Sequence, residues 1–236
     1  MPDLPMLDVS GLTSGYGRIT ILNGVTMSVA PGEFMGVLGH NGMGKTTLLR
    51  TLMGLIPTTS GRVRLAGQEI TNLPTHARTR LGIGYVPQGR QIFPDLTVRE
   101  NMLMGCAKTP GDPRQTIDRV LTLFPRLVRL LDRRGGGLSG GEQQLLALAR
   151  CFCGGPKVLL LDEPTEGIQP SIIDEIVDTL RMISRTQGVT IVLVEQNLEF
   201  LVELVSRIVV LQRGRVRDEI GGERIHDIAN LAEALM

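Results

Sequence analysis

The chain has 236 residues, with 25 Lys plus Arg against 24 Asp plus Glu and a formal net charge of +1. That balance excludes a basic nucleic-acid platform and a polybasic membrane anchor, so no nucleic-acid partner is expected. Hydrophobic residues at 42% supply a sizeable core and exclude disorder, while 3% aromatics without Trp exclude stacking platforms for single strands.

No apolar run approaches ~18 residues, so no bilayer span is expected. The first ten residues carry Asp3 and Asp8 and no basic-then-apolar pattern, so no secretory signal is expected. Three cysteines cannot all pair, and without such a signal they read as reduced thiols.

The first part of the chain reads as strands. Val25 to Ala30 alternates before a Pro31-Gly32 turn, and Phe34 to Leu38 is a short apolar run suited to a buried strand. Gly39 onward is a loop, and Thr46 to Met53 predicts a helix closed by Gly54. Gly61 to Ala66 and Gly82 to Val86 read as strands. From about Gly89 to Gly155 the pattern turns helical. Thr97-Val98-Arg99-Glu100 is a capping box opening a helix toward Leu103, and apolar residues at 117, 120, 121 and 124 give helical spacing over Thr116 to Phe124. Ser139-Gly140-Gly141-Glu142 is a second capping box, opening a helix to about Phe152. Val158 to Leu161 is wholly apolar, Ser171 to Ile183 is helical, and Val189 to Val194 is β-branched and apolar. Arg207 to Leu211 and Gly214 to Ile220 read as two late strands. Apolar strands alternating with helices imply a largely parallel sheet covered on both faces, with a helical insertion of roughly 65 residues.

Gly39-His40-Asn41-Gly42-Met43-Gly44-Lys45-Thr46 fits the phosphate-loop pattern G-x-x-x-x-G-K-[ST], after a strand and opening a helix. The glycines let backbone N–H groups wrap a phosphate chain at the positive end of a helix. Lys45 is expected to reach the β and γ phosphates and Thr46 to offer its hydroxyl to Mg²⁺. Val158-Leu159-Leu160-Leu161-Asp162-Glu163 is an apolar strand ending in two carboxylates. Asp162 sits where a strand end can meet Mg²⁺ near Thr46. Glu163, one residue on, points elsewhere and is placed to activate a water against the γ-phosphate.

Leu138-Ser139-Gly140-Gly141-Glu142-Gln143 narrows the reading. With the two motifs above, it resembles the signature of the ATP-binding cassette (ABC) ATPases. The resemblance covers the chain from Leu7 to about Ile220. It implies an α/β P-loop NTPase core with an N-terminal antiparallel β region and an inserted α-helical subdomain. The division implied is a single domain over 1–236, with a core of 1–88 and 156–236 and a signature subdomain of 89–155. The nucleotide-binding set becomes Tyr16, as the aromatic on adenine, with Gly39, His40, Asn41, Gly42, Met43, Gly44, Lys45, Thr46 and Thr47. In the family two cassettes dimerise head to tail, so Leu138, Ser139, Gly140, Gly141 and Glu142 are expected to close over ATP held by a partner. Gln88, in Tyr85-Val86-Pro87-Gln88, matches the glutamine that reaches Mg²⁺ and the attacking water, and Asp162 is expected to meet Mg²⁺ through water. Gln196 falls at the switch position, so its amide is expected to join catalysis by donating to the γ-phosphate and holding Glu163.

Two departures mark this chain. Gln169 stands in the crossing loop Pro164 to Pro170 where the family usually has Asp, and Gln196 stands where it usually has His. Both recur in ATP subunits similar to those of branched-chain amino acid and urea importers. The wording of Pro87 to Pro94 and of Glu163 to Ser171 looks like the urea and short-chain amide subset, with branched-chain amino acid import as the alternative. A soluble non-transport cassette is a further reading, and it usually needs paired cassettes or long insertions. The resemblance thus implies an ATP- and Mg²⁺-dependent ATPase subunit lying peripherally on the cytoplasmic face of the cell membrane. Its implied partners are a second ATPase subunit, two membrane-spanning permease subunits and a periplasmic or extracellular solute-binding protein. Apolar residues at Phe93 and Met102-Leu103-Met104 read equally as core or as a patch receiving the membrane partner. Cys151-Phe152-Cys153 reads as packing rather than metal ligation, because residues two apart on a helix face different ways.

Overall fold

The computed structural model describes residues 4–225. Asp3, and the end of the expected core segment at 226–236 with His226, lie outside the described residues.

Strand β1 (Leu7–Tyr16) pairs antiparallel with β2 (Ile19–Val29), Leu7 standing opposite Val29. Strand β3 (Phe34–Leu38) is buried along its whole length and leads through the Gly-rich loop into α1 (Lys45–Leu52). Strand β4 (Thr58–Leu65) returns to β1, and the short β5 (Gln68–Glu69) closes a four-stranded antiparallel sheet in the order β2-β1-β4-β5. Helix α2 (Thr75–Leu81) then precedes β6 (Ile83–Val86). The sequence carries little sign of α2, which is short and polar. It is anchored instead by buried Arg78, whose guanidinium donates to the carbonyls of Thr51, Leu52, Thr71 and Leu73.

The next stretch is helical: α3 (Val98–Gly105), α4 (Pro113–Leu121), α5 (Pro125–Val128) and α6 (Gly140–Cys153). Both expected capping boxes form. At α3 the Thr97 hydroxyl accepts from the Glu100 N–H at 3.2 Å, while the Glu100 carboxylate accepts from the Thr97 N–H at 2.7 Å. The helix expected to run to Phe124 stops at Leu121. Pro125 bars the helical region to the residue before it, and Phe124 takes φ −128°, ψ 63° as the cap of α5. Met102 is core, while Leu103 and Met104 are 48% and 52% exposed, so the Met-rich run divides between core and surface.

Strand β7 (Val158–Asp162), helix α7 (Pro170–Gln187), strand β8 (Thr190–Glu195), helix α8 (Leu198–Leu204) and the hairpin β9 (Arg207–Gln212) and β10 (Arg215–Gly221) complete the described chain. Helix α7 runs past Ile183, the last apolar residue of the predicted helix, on a polar turn that ends at Gly188 in the left-handed region. The second sheet has the order β10-β9-β3-β8-β7-β6, parallel except for β10 at the edge.

Side chains alternate across this sheet and build a core on each face. Val158, Leu160, Val192, Val194 and Val209 join α1 and the antiparallel sheet on one face. Leu159, Leu161, Leu193, Ile208 and Val210 join α6, α7 and α8 on the other. Among the described residues no helix is long and apolar enough to cross a membrane.

Cys106 and Cys153 are buried and Cys151 is half-buried; none is in a disulfide. Burial pushes the Cys151 thiol up to about 12 and raises those of Cys106 and Cys153 as well. Thiolate is the reactive form. Brief treatment of the native protein with iodoacetamide at pH 7 should therefore label none of the three, and labelling in denaturant should reach all three. Intact-mass measurement reads the result, and fast native labelling would contradict this packing.

Candidate nucleotide site

The phosphate loop is built by constraints at its two ends. Gly44 caps α1 at φ 102°, a conformation that L side chains rarely adopt, and this turns the N–H groups at the start of α1 toward the loop. The other constraint comes from far along the chain. Gly214, in the turn between β9 and β10, donates its N–H to the Met43 carbonyl at 3.0 Å and accepts from the Asn23 N–H at 2.8 Å. A Cβ on Gly214 would collide with the Ile21 carbonyl, so only glycine fits this clip.

The loop borders a cleft of about 290 Å³ lined by Ile21, Asn41, Gly42, Gly44, Lys45, Thr46, Thr47, Gln88 and Glu163. Lys45 and Glu163 are 4% and 8% exposed, and the Lys45 ammonium lies 3.2 Å from Glu163 Oε1. The same ammonium donates to the carbonyls of Gly39 at 2.6 Å and His40 at 3.2 Å. The Gln88 amide donates to Glu163 Oε2 at 3.2 Å and to Glu166 at 2.9 Å. Glu163 holds φ 46°, which turns its side chain off the strand line and toward Lys45, while Asp162 stays in strand geometry.

Thr46 donates to Asp162 Oδ1 at 3.0 Å, so the loop hydroxyl and the strand-end carboxylate meet. Tyr85, on β6, donates its hydroxyl to Asp162 Oδ2 at 3.0 Å. Burial raises the Asp162 carboxyl above its ordinary value, opposed by these two hydrogen bonds. Sequence reasoning gave Tyr85 no role. The available signal was a phenol inside a buried apolar strand, where its hydroxyl must find a partner. Burial and the neighbouring Asp162 also raise the Tyr85 phenol.

The other expected residues lie apart from this cleft. Tyr16 lines a second cleft of about 230 Å³ with Arg50, Leu55, Ile56, Tyr85, Pro87 and Gln91. Its hydroxyl and that of Tyr85 meet the Arg50 guanidinium, which they hold above its ordinary value. Leu138 to Glu142 do not line the phosphate cleft. Leu138 is buried and exposed Ser139 caps α6, its hydroxyl accepting from Glu142 N at 3.3 Å and its N–H donating to Glu142 at 2.8 Å. Gln196 is exposed, and its side chain makes no hydrogen bond among the described residues, to Glu163 or any other group.

A phosphate loop facing a strand-end carboxylate pair, with a separate capped helix on an inserted helical segment, defines an ATP-hydrolysing cassette. Residues 22–166 match the ABC transporter family, and the chain belongs to that family as an ABC transporter ATPase. It is 43% identical to the high-affinity branched-chain amino acid transport ATP-binding protein BraG of Pseudomonas aeruginosa, over 89% of this chain and 91% of that one. It is 39% identical to the probable branched-chain amino acid transport ATP-binding protein LivF of Archaeoglobus fulgidus, over 89% and 90%. Among solved structures, a nucleotide-free ATP-binding cassette from an ABC transporter superposes with a TM-score of 0.87 at 26% identity, covering 98% of this chain and 96% of the other. A dimeric cassette in a post-hydrolysis state, bound to ADP and Pi, superposes at 0.83 and 27% identity, covering 92% and 98%.

Proposed function

We propose that this ATPase powers an importer of branched-chain amino acids. The likeness to the two branched-chain transport proteins, at 43% and 39% identity over about nine-tenths of each chain, carries the reading. The urea or amide reading rests on the wording of two loops and is the weaker one. Uptake of labelled leucine and labelled urea in a strain lacking this subunit tests the choice. Loss of leucine uptake with urea uptake intact is expected, and the reverse would restore the urea reading.

In this reading ATP lies along Gly39 to Thr47, with its phosphates toward the α1 N-terminus and its adenine against Tyr16. The Lys45 ammonium takes the β and γ phosphates. Its present partners, two carbonyls and a carboxylate, support a cation aimed into the cleft. Glu163 takes a proton from water as that water attacks the γ-phosphate and the bond to the β-phosphate oxygen breaks, giving ADP and phosphate, and Gln88, already bonded to Glu163, orients the same water. Among the described residues no group of three His, Cys, Asp or Glu side chains could hold a metal alone. The Thr46 hydroxyl and the Asp162 carboxylate nevertheless fit Mg²⁺ brought with phosphate, a hard cation that takes few protein oxygens. Bound there, Mg²⁺ would neutralise charge on the β and γ phosphates.

The start of α6, with exposed Ser139 followed by Gly140 and Gly141, meets the γ-phosphate on a partner's phosphate loop. None of these residues lines this chain's own cleft, which supports a site completed by two cassettes, and the dimeric relative supports it as well. We take 1–88 with 156–236 as the core and 89–155 as the signature subdomain. Exposed Phe93, Leu103 and Met104 support the reading that a permease subunit docks here, with the chain on the cytoplasmic membrane face and a solute-binding protein beyond it. Gln196, in the turn directly after β8, acts through its backbone position.

A further inference from the structure

One buried carboxylate has no part in the steps above. Glu195, the last residue of β8, is 3% exposed. Its Oε1 accepts from the Thr165 hydroxyl at 2.5 Å and from the Thr165 N–H at 3.2 Å. Its Oε2 accepts from the Gln196 N–H at 2.9 Å and from the Asn197 N–H at 3.3 Å. A buried carboxylate is tolerated when its oxygens are hydrogen-bonded, and here each oxygen serves a different segment. Thr165 lies two residues beyond Glu163, on the loop that leads to α7. Gln196 and Asn197 form the turn into α8, where the Asn197 side chain caps the helix through the Phe200 N–H at 3.1 Å.

Glu163 sits between these two segments. Its N–H donates to the Val194 carbonyl at 2.9 Å, one residue before Glu195. Its φ of 46° is rare for a residue with a side chain and persists only where the surroundings fix it. Thr165 on one side and Val194 on the other supply that fixing, and Glu195 joins them.

We propose that Glu195 is a positioning residue for ATP hydrolysis: its carboxylate locks the loop at Thr165 to the turn at Gln196 and thereby holds Glu163 at the angle from which it meets water. This rests on the reading of Glu163 as the base. It also accounts for a switch position occupied by an exposed Gln with no side-chain hydrogen bond among the described residues, because Glu195 fixes that turn through main-chain N–H groups.

The test uses the full chain, a fluorescent ATP analogue for binding, and steady-state ATPase assays. Glu195→Gln keeps the side-chain shape but offers one accepting oxygen and one donating NH₂, so one of the two segments loses its acceptor whichever way the amide turns. The expected result is kcat lower by roughly 10–100-fold with analogue affinity within about threefold of the parent. Thr165→Val should act in the same direction, and Thr165→Ser, which restores the hydroxyl, should recover most of the rate. The double variant Glu195→Gln/Thr165→Val should fall no further than the lower single variant, because loss of either link opens the same lock between the two segments.

A carboxylate with only a structural role would lower analogue affinity and melting temperature along with the rate. Parent kcat in Glu195→Gln, or additive losses in the double variant, would overturn the proposal. Should Glu195→Gln fail to fold, Thr165→Val against Thr165→Ser decides: equal kcat overturns the clamp, and a loss rescued by serine supports it. Failure of the underlying reading is distinguishable, since it appears as normal turnover in Glu163→Gln measured alongside.

Discussion

Glu163→Gln should bind ATP as the parent does and hydrolyse it roughly 10²–10⁴-fold more slowly. The argument is geometric before it is chemical. Glu163 lines the phosphate cleft, and its carboxylate already meets both Lys45 at 3.2 Å and Gln88 at 3.2 Å. A Gln amide is nearly the same shape and can still accept from Lys45, so the cleft should keep its form. What the amide cannot do is take up a proton from water. Binding and turnover should therefore separate, and the stalled variant should accumulate as an ATP-bound dimer. ATP-analogue binding, ATPase rate and gel filtration with ATP read the three parts. Near-parent turnover would remove Glu163 from the role of base.

Lys45→Met should cost stability as well as nucleotide affinity. Lys45 and Glu163 form a buried ion pair, and methionine fills much of the volume while removing the charge. The Glu163 carboxylate is then left buried with Gln88 as its nearest donor. Breaking one side of a buried pair costs about 3–5 kcal/mol, whereas removing both charges is close to neutral. The double variant Lys45→Met/Glu163→Gln should accordingly recover most of the lost stability while remaining unable to hydrolyse ATP. Urea denaturation of the three proteins measures this. A Lys45→Met midpoint equal to the parent's would mean that water reaches Glu163 and that the pair is not a buried one in solution.

The sequence exposes the parts of this site that are built locally. The loop Gly39 to Thr46, the Asp162–Glu163 pair and the capped start of α6 each depend on residues within a few positions, so their spacing carries the chemistry. Tyr85 and Glu195 escape such reading because their partners are distant: Asp162 lies on the strand beside Tyr85, 77 residues on, and Thr165 lies 30 residues before Glu195, across α7. Helix α2 escapes because its anchor is a buried arginine rather than an apolar stripe. The end of α7 escapes because its last turn faces solvent and has no apolar residue to extend the pattern. Unbroken apolar runs reveal strands β3, β7 and β8 because they are buried on both faces, yet such runs say nothing of their order, which depends on partners far apart in the chain.

The clip that Gly214 places on the phosphate loop has a consequence for biosynthesis. The antiparallel sheet pairs segments close in sequence, so β1, β2 and β4 can assemble early on a nascent chain. Strand β3 cannot, because both of its neighbours, β8 and β9, are made much later. Met43 likewise waits for Gly214 before its carbonyl is bound. The ribosome thus releases the nucleotide loop long before the residues that shape it, and a wholly apolar strand stands unpaired in the interval. That interval is when the emerging polypeptide depends most on chaperones, and ATP can stabilise the domain only once translation has passed the last hairpin.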